Sequence, residues 1–304
     1  MKKNPIGQSD VYVSELTLGC MSLGTDSKQA QTVIDRALDA GINHLDTADL
    51  YGFGRNEEVV GHAIKNKRDQ MVVTSKVGNN FDRDKQDWFW DPSKEHIEQG
   101  CKDSLHRLGT DYIDFYMLHG GTIDDPIDET IEAFENLKQD GLIRAYGLSS
   151  IRPNVIREYV HRSDIDAVMM QYNLLDRRPE EEILDLLHDN HISVLTRGPL
   201  AKGMLSNHAH EQIAKKGKDG FLDYSHAELE TIQQKLEQLA GDESLNALAL
   251  NYVLKHPAVA SAVFGASSKE QVTENTQFDH TTLNDETYKT IQNLTKPIQY
   301  TNHR

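Results

Sequence analysis

The chain has 304 residues, 32 of them Lys or Arg and 48 Asp or Glu, for a formal net charge of −16 with histidine neutral. That acidity opposes broad binding to nucleic acid or anionic membrane, because long-range steering repels polyanions; a small phosphate-bearing ligand held by local groups is still allowed. Two cysteines are too few for a disulfide framework, no apolar run of about 18 residues can span a bilayer, and no secretory leader opens the chain, so a cytoplasmic protein is expected.

Residues 3–15 (KNPIGQSDVYVSE) hold a turn between short extended pieces, a candidate hairpin closing one end of the fold. From there one pattern recurs: a helix-like segment, often ended by Gly, then a short apolar run finishing in a polar residue. The runs are TLGC (17–20), INHLD (42–46), MVVTSK (71–76), IDFYMLH (113–119), IRAYGLSS (143–150), AVMMQ (167–171), SVLTR (193–197) and SAVFGAS (261–267). Nearly continuous apolar stretches are expected of parallel strands covered on both faces.

The helical segments between them are 27–40, 57–67, 93–108, 127–140, 153–162, 180–190, 245–256 and 269–277. In the first, Ala30, Val33, Ile34, Ala37 and Leu38 fall three and four apart and make one apolar stripe. Gly41, Gly109 and Gly141 stand just past helix ends, where a left-handed residue is wanted. Pro92, Pro126 and Pro153 mark helix starts, with Asp91 and Asp125 as N-caps. The acidic run Glu180, Glu181 and Glu182 suits the positive end of a helix and is given no catalytic role. Residues 226–240 and 285–295 read as additional amphipathic helices, and 206–224, polar and rich in Gly, Lys and His, as a surface loop rather than a second domain.

Strand–helix alternation repeated eight times is the sequence form of an α/β fold, a (β/α)8 TIM barrel. The whole chain, 1–304, is expected to be one such domain, with a short N-terminal hairpin and extra C-terminal helices. A doubly wound open sheet would need a G-x-G-x-x-G turn after its first strand to bind a dinucleotide, and GCMSLGTD does not fit. Function in a barrel gathers at the C-terminal ends of the strands. The polar terminators there are Asp46, Lys76, His119, Ser149, Gln171 and Arg197. Solvation explains any one of them, but poorly explains the set.

The segments HLDTADLYG (44–52), TSK (74–76), MLH (117–119), GLSS (147–150), QYN (171–173), PLAKGML (199–205) and GASSKEQVTEN (265–275) resemble the aldo-keto reductases, in order and over nearly the whole chain. The resemblance implies a catalytic tetrad of Asp46, Tyr51, Lys76 and His119. Its chemistry is coherent: carbonyl reduction needs a hydride donor on one side and a proton donor at the developing alkoxide. Tyr51 would be that general acid, made stronger by the Lys76 ammonium, with Asp46 keeping Lys76 charged and oriented. His119 would donate to, or orient, the substrate oxygen. The hydride must come from a cofactor.

The resemblance further implies NADP(H). Ser149 and Gln171 would meet the nicotinamide carboxamide, with Asn173 or Ser150 adding contacts. Arg197 stands where relatives often stack an aromatic ring on the nicotinamide, and a guanidinium plane can stack as well. Pro199, Leu200, Lys202 and Gly203 would run along the pyrophosphate. The loop Gly265, Ser267, Ser268 and Lys269 would meet the adenosine 2′-phosphate, with Gln271, Glu274 and Asn275 towards the adenine. Many relatives carry an arginine where this chain has Ser267. Hydroxyls, helix-start N–H groups and Lys269 would take its place. Ser268 and Gln271 also fit a helix capping box.

Substrate walls are less specified. The loop after His119 is short, and the longer one after Lys76 (GNNFDRDKQDWFWD) carries Trp88, Phe89 and Trp90, which either clamp an apolar aldehyde or pack the loop onto the barrel. His96, Cys101 and His106 scatter around one helix and His208 and His210 lack companion ligands, so no metal is expected. The reading is an NADP(H)-dependent oxidoreductase acting on a small-molecule carbonyl. The rival is an NADPH-binding sensor or regulatory barrel with little turnover. Substrate identity and oligomeric state are not legible in the sequence.

Overall fold

In the computed structural model, which describes residues 1–277 and 283–304, the eight apolar runs become eight parallel strands closed into a barrel. An antiparallel hairpin, β1 (Lys3–Pro5) and β2 (Tyr12–Ser14), precedes them. The first barrel strands are β3 (Leu16–Gly19), β4 (His44–Asp46) and β5 (Val72–Val77). A second hairpin, β6 (Asn79–Asp82) and β7 (Asp87–Trp90), stands on the loop after β5. The barrel resumes with β8 (Ile113–Leu118), β9 (Ile143–Ser149), β10 (Ala167–Gln171), β11 (Ser193–Arg197) and β12 (Val259–Gly265), which pairs back to β3.

The helices in chain order are α1 (Ser27–Asp39), α2 (Arg55–Ile64), α3 (Lys94–Leu108), α4 (Ile127–Gln139), α5 (Pro153–Arg162), α6 (Ile183–Asp189), α7 (Ala209–Lys216), α8 (His226–Ala240), α9 (Leu245–Leu254), α10 (Lys269–Thr276) and α11 (Asp285–Leu294). Local chemistry sets their ends. Asp26 caps α1 by accepting from the Lys28 and Gln29 N–H groups, and the stripe Ala30, Val33, Ile34 and Ala37 is buried. Gly41, Gly109 and Gly141 all have positive φ, as their places at helix ends require. No helix among the described residues is long and apolar enough to cross a membrane.

Four expectations are corrected. The segment 206–224 is not all loop: α7 lies within it and buries Ala209 and Ile213. Asp91 does not cap α3; Ser93 does, accepting from the His96 N–H, while Asp91 accepts from the Ser93 N–H one step earlier. Asp125 does not cap α4. Its carboxylate is taken by the Thr122 N–H and hydroxyl and by Trp90 Nε1. Nor does Glu180 sit on a solvated helix end: α6 begins only at Ile183, and Glu180 accepts from the hydroxyls of Tyr172 and Tyr252, from Arg177 and from Gln292. Buried tyrosines and an arginine need an acceptor, and that demand outweighs the weaker helix-dipole term.

Each barrel strand shows one face to the helices and one to the interior, because side chains alternate with period two. On β8, Tyr116 and Leu118 pack outward while Phe115 and Met117 point in. The interior is filled by Phe115, Met117, Ala145, Ala167, Met169, Leu195 and Val263, and the N-terminal hairpin plugs that end with Ile6, Val11 and Val13. Gly147 makes the strand spacing possible. A Cβ there would lie 1.9 Å from the Ala167 carbonyl oxygen and 3.0 Å from the Phe115 ring.

Candidate active site

The same alternation builds the site. From the inward residues of each strand, a step of two reaches the mouth: His44 to Asp46, Thr74 to Lys76, Met117 to His119, Gly147 to Ser149, Met169 to Gln171, Leu195 to Arg197. Every polar terminator read from the sequence therefore has inward parity, and strand pairing sets them side by side. Asp46 pairs with Thr74, Lys76 with Met117, Met169 with Ser149 and Gln171 with Arg197.

Lys76 is wholly buried. Its Nζ donates to Asp46 Oδ1 (2.7 Å), to the Thr47 carbonyl (2.8 Å) and to the Tyr51 hydroxyl (3.3 Å), so all its donor capacity is used. Burial works against this ammonium, but Asp46 and then Tyr51 outweigh it and hold the Lys76 pKa above its ordinary value. Burial pushes the Asp46 carboxyl up, with Lys76 and Arg197 opposing it. The pair therefore stands as a buried ion pair satisfied by hydrogen bonds, the condition under which such a pair persists. The His119 ring meets Tyr51 edge-on at 5.8 Å. Burial, then the charges of Lys76 and Arg197, lower its pKa from 6.5 to about 3. It is neutral, and its Nδ1 is buried without a hydrogen-bond partner.

One layer deeper the barrel holds a chain of hydroxyls around a second histidine. His44 Nδ1 meets Thr17 Oγ1 (2.7 Å), which meets Ser261 Oγ (2.6 Å), and His44 Nε2 meets Thr74 Oγ1 (2.6 Å). Burial and Lys76 lower the His44 pKa to about 3, so this ring is neutral too. The inward-facing His was not singled out in the sequence, although its parity with Asp46 was readable.

The other expected site residues fall as follows. Ser149, Gln171 and Arg197 lie on the rim, with Arg197 exposed and close enough to Asp46 and His119 to act on both electrostatically. Ser150 is buried, its hydroxyl accepting from the Arg152 N–H. Asn173 is wholly buried and bonds inside its own turn region, donating to the Gly198 carbonyl and accepting from the N–H groups of Leu175 and Asp176. Pro199 is buried, Leu200 and Gly203 are half-buried, and Lys202 is exposed with its ammonium over the Phe221 ring.

After β12, Gly265, Ser267 and Lys269 are exposed. Ser268 caps α10 by accepting from the Gln271 N–H, but the reciprocal bond of a capping box is displaced by one residue: Gln271 Oε1 accepts from the Ser267 N–H and hydroxyl. Glu274 meets His208 at 3.3 Å, and Asn275 is buried against Asn246.

The long loop after Lys76 is a hairpin. Trp88 and Phe89 are exposed on it by 51% and 60%, while Trp90 packs against the core and bonds Asp125. The aromatics thus divide: Trp90 anchors, and the other two face out. One rim residue had no sequence signal. Tyr300, in the aperiodic C-terminal tail, lies over the Arg178 guanidinium at 5.0 Å and near Arg197. Cys101 is buried, as a small core hydrophobe would be.

A parallel barrel with Asp, Lys, Tyr and His converging at its mouth marks an oxidoreductase of one lineage. The sequence model of the Aldo/keto reductase family matches residues 15–296, and the chain belongs to that family. It is 52% identical over 306 residues to an uncharacterised oxidoreductase, YqkF, of Bacillus subtilis (strain 168), covering 100% of both chains. It is 34% identical over 302 residues to an NADH-specific methylglyoxal reductase of Escherichia coli (strain K12), covering 90% of this chain and 92% of that one. Among solved structures, the holo form of an aldo-keto reductase from Bacillus halodurans superposes with a TM-score of 0.94 at 52% identity, covering 100% of this chain and 99% of that chain.

Proposed function

We propose that this aldo-keto reductase reduces an aldehyde or ketone with NADPH, Tyr51 delivering the proton. The observation that carries the reading is the Lys76 ammonium, buried, paired with Asp46 at 2.7 Å and donating to the Tyr51 hydroxyl at 3.3 Å. A cation held there stabilises the phenolate that Tyr51 becomes as its proton leaves for the substrate oxygen. Asp46 keeps Lys76 in place and charged. His119, being neutral, donates one N–H to the carbonyl oxygen without adding a proton of its own to the balance.

The rim fits a nicotinamide nucleotide. Ser149 and Gln171 offer hydroxyl and amide partners for a carboxamide on adjacent strands, and Arg197 presents an exposed guanidinium plane beside them. Bound there, the cofactor supplies the hydride from C4 of its ring. Preference for NADPH rests on Ser267, Ser268, Lys269 and the start of α10, where N–H groups and an ammonium suit a 2′-phosphate. Exposed Trp88 and Phe89 favour a substrate with an apolar body.

NADPH and NADH would be titrated by fluorescence, and wild type and Tyr51→Phe then assayed against a panel of aldehydes. The expected result is tighter binding of NADPH in both proteins, with turnover lower by about 10²–10⁴-fold in Tyr51→Phe. Turnover retained in Tyr51→Phe would sink the proton-donor role. Tighter binding of NADH, as the name of the Escherichia coli relative has it, would overturn the NADPH preference. Binding without turnover on any carbonyl would favour a regulatory barrel.

A further inference from the structure

Beneath the tetrad lies a second set of ionisable groups with no part in the reaction so far. Asp49 sits on the segment between Asp46 and Tyr51, is 1% exposed, and donates its main-chain N–H to the Lys76 carbonyl (3.3 Å). Glu57, on α2, is wholly buried; its carboxylate accepts from Ser75 Oγ (2.5 Å) and from Arg107 Nε (2.5 Å) on α3. The groups that face Asp49 are Glu57 from α2, Arg107 from α3, Lys76 from β5 and the Tyr116 hydroxyl from β8.

The charge count is uneven. Three buried carboxyls, Asp46, Asp49 and Glu57, have two cations in ion pairs among them, Lys76 held by Asp46 and Arg107 by Glu57, while Arg197 acts on Asp46 from the rim. Asp49 is left over, and its Oδ1 is buried with no hydrogen-bond partner. An ionised carboxylate with a bare buried oxygen is far costlier than a protonated one. Burial, then repulsion from Glu57, pushes the Asp49 carboxyl well above the ordinary range, outweighing the opposite pulls of Arg107, the Leu50 N–H and Lys76.

We propose that Asp49 carries a proton in the working enzyme and is a positioning residue for Tyr51: its neutrality leaves Lys76 with one buried counter-charge, so the rest of the ammonium's field falls on the phenol. The proposal rests on Tyr51 being the proton donor. An ionised Asp49 would set a second carboxylate against Lys76, cancel part of its pull on the phenolate, and make Tyr51 hold its proton more tightly.

The test uses Glu57→Gln. Without Glu57, Arg107 lacks a partner, so Asp49 releases its proton to solvent and becomes that partner. The alkaline limb of the pH profile of kcat for carbonyl reduction is expected to move up by roughly one unit. Adding Asp49→Asn to Glu57→Gln moves it back. Infrared difference spectra of the NADPH-loaded proteins read the proton itself. The carbonyl stretch of a protonated carboxyl is expected in wild type at neutral pH and absent from Asp49→Asn and from Glu57→Gln.

No such band in wild type overturns the proposal, and so does an unmoved limb in Glu57→Gln. Should Glu57→Gln not fold, Asp49→Asn alone decides: a downward move of its limb shows that Asp49 was charged, whereas a neutral Asp49 leaves the limb in place. The infrared band is independent of Tyr51, so turnover retained in Tyr51→Phe would remove the donor reading without touching the protonation result.

Discussion

Replacing Lys76 by Met keeps an unbranched apolar stem, one atom shorter, and removes the charge from a wholly buried position. Three hydrogen bonds go with it, to Asp46, the Thr47 carbonyl and the Tyr51 hydroxyl, at 2.7, 2.8 and 3.3 Å. The Asp46 side chain is only 6% exposed and loses its cation. Breaking a buried pair in this way costs about 3–5 kcal/mol. Burial already pushes the Asp46 carboxyl up, so the lone acid takes up a proton and the cost settles near the lower end, ~3 kcal/mol. The sign follows from linkage: a carboxyl whose folded pKa is raised stabilises the fold at low pH and loses that contribution as pH rises through the folded value. Lys76→Met is therefore least impaired, relative to wild type, in acid.

Adding Asp46→Asn removes the buried acid that must take up a proton at neutral pH and should restore about 2 kcal/mol of the loss. Turnover is a separate matter. Neither variant has a cation at Tyr51, so both should lose about 10²–10⁴-fold in kcat, while nucleotide affinity, which depends on the rim, stays as in wild type. Urea unfolding, steady-state kinetics and a nucleotide titration measure the three quantities. The reasoning fails if Lys76→Met turns over within about tenfold of wild type, or if Asp46→Asn does not restore stability.

Three further outcomes are expected. Burial, then Lys76, lowers both His44 and His119 from 6.5 to about 3, so each stabilises the fold fully above 6.5 and loses that contribution as pH falls towards about 3. Near pH 5 this amounts to about 2 kcal/mol for each ring; urea unfolding free energies that stay flat from pH ~7 to ~5 would count against it. Gly147→Ala puts a Cβ 1.9 Å from the Ala167 carbonyl oxygen; a loss above roughly 4 kcal/mol is expected in thermal unfolding, and a mild effect would mean that the strands part easily there. Ser267→Arg, at an exposed position, should raise the preference for NADPH over NADH by about tenfold through a bidentate phosphate contact. Equal affinities before and after would place the phosphate elsewhere.

The sequence was most informative where local chemistry and periodicity agree. The eight apolar runs all became barrel strands, and the helix boundaries set by Gly41, Gly109 and Gly141 held because a positive φ at a helix end depends on a few neighbouring residues. It was less informative where partners come from far along the chain. Asp91 and Asp125 had the right type and place for N-caps, yet Asp125 was claimed by Trp90 from 35 residues away and Asp91 by Asn80 and Ser93. Glu180 looked like a surface charge and turned out to be the acceptor for two tyrosines, one just past β10 and one on α9.

The candidate site divides along the same line. Residue types and order pointed to Asp46, Lys76 and His119, because strand ends with inward parity must project into the barrel mouth once the sheet closes; Tyr51, on the loop after β4, and the grouping of the four were implied by the family resemblance. Which charges neutralise which is a matter of distances between strands and helices, and only the folded chain decides it. The sequence contains Asp49, Glu57 and Arg107 with nothing to mark them as one cluster. Packing α2 and α3 against β5 sets two buried carboxyls beside one guanidinium, and at that burial weak screening makes the charge count consequential.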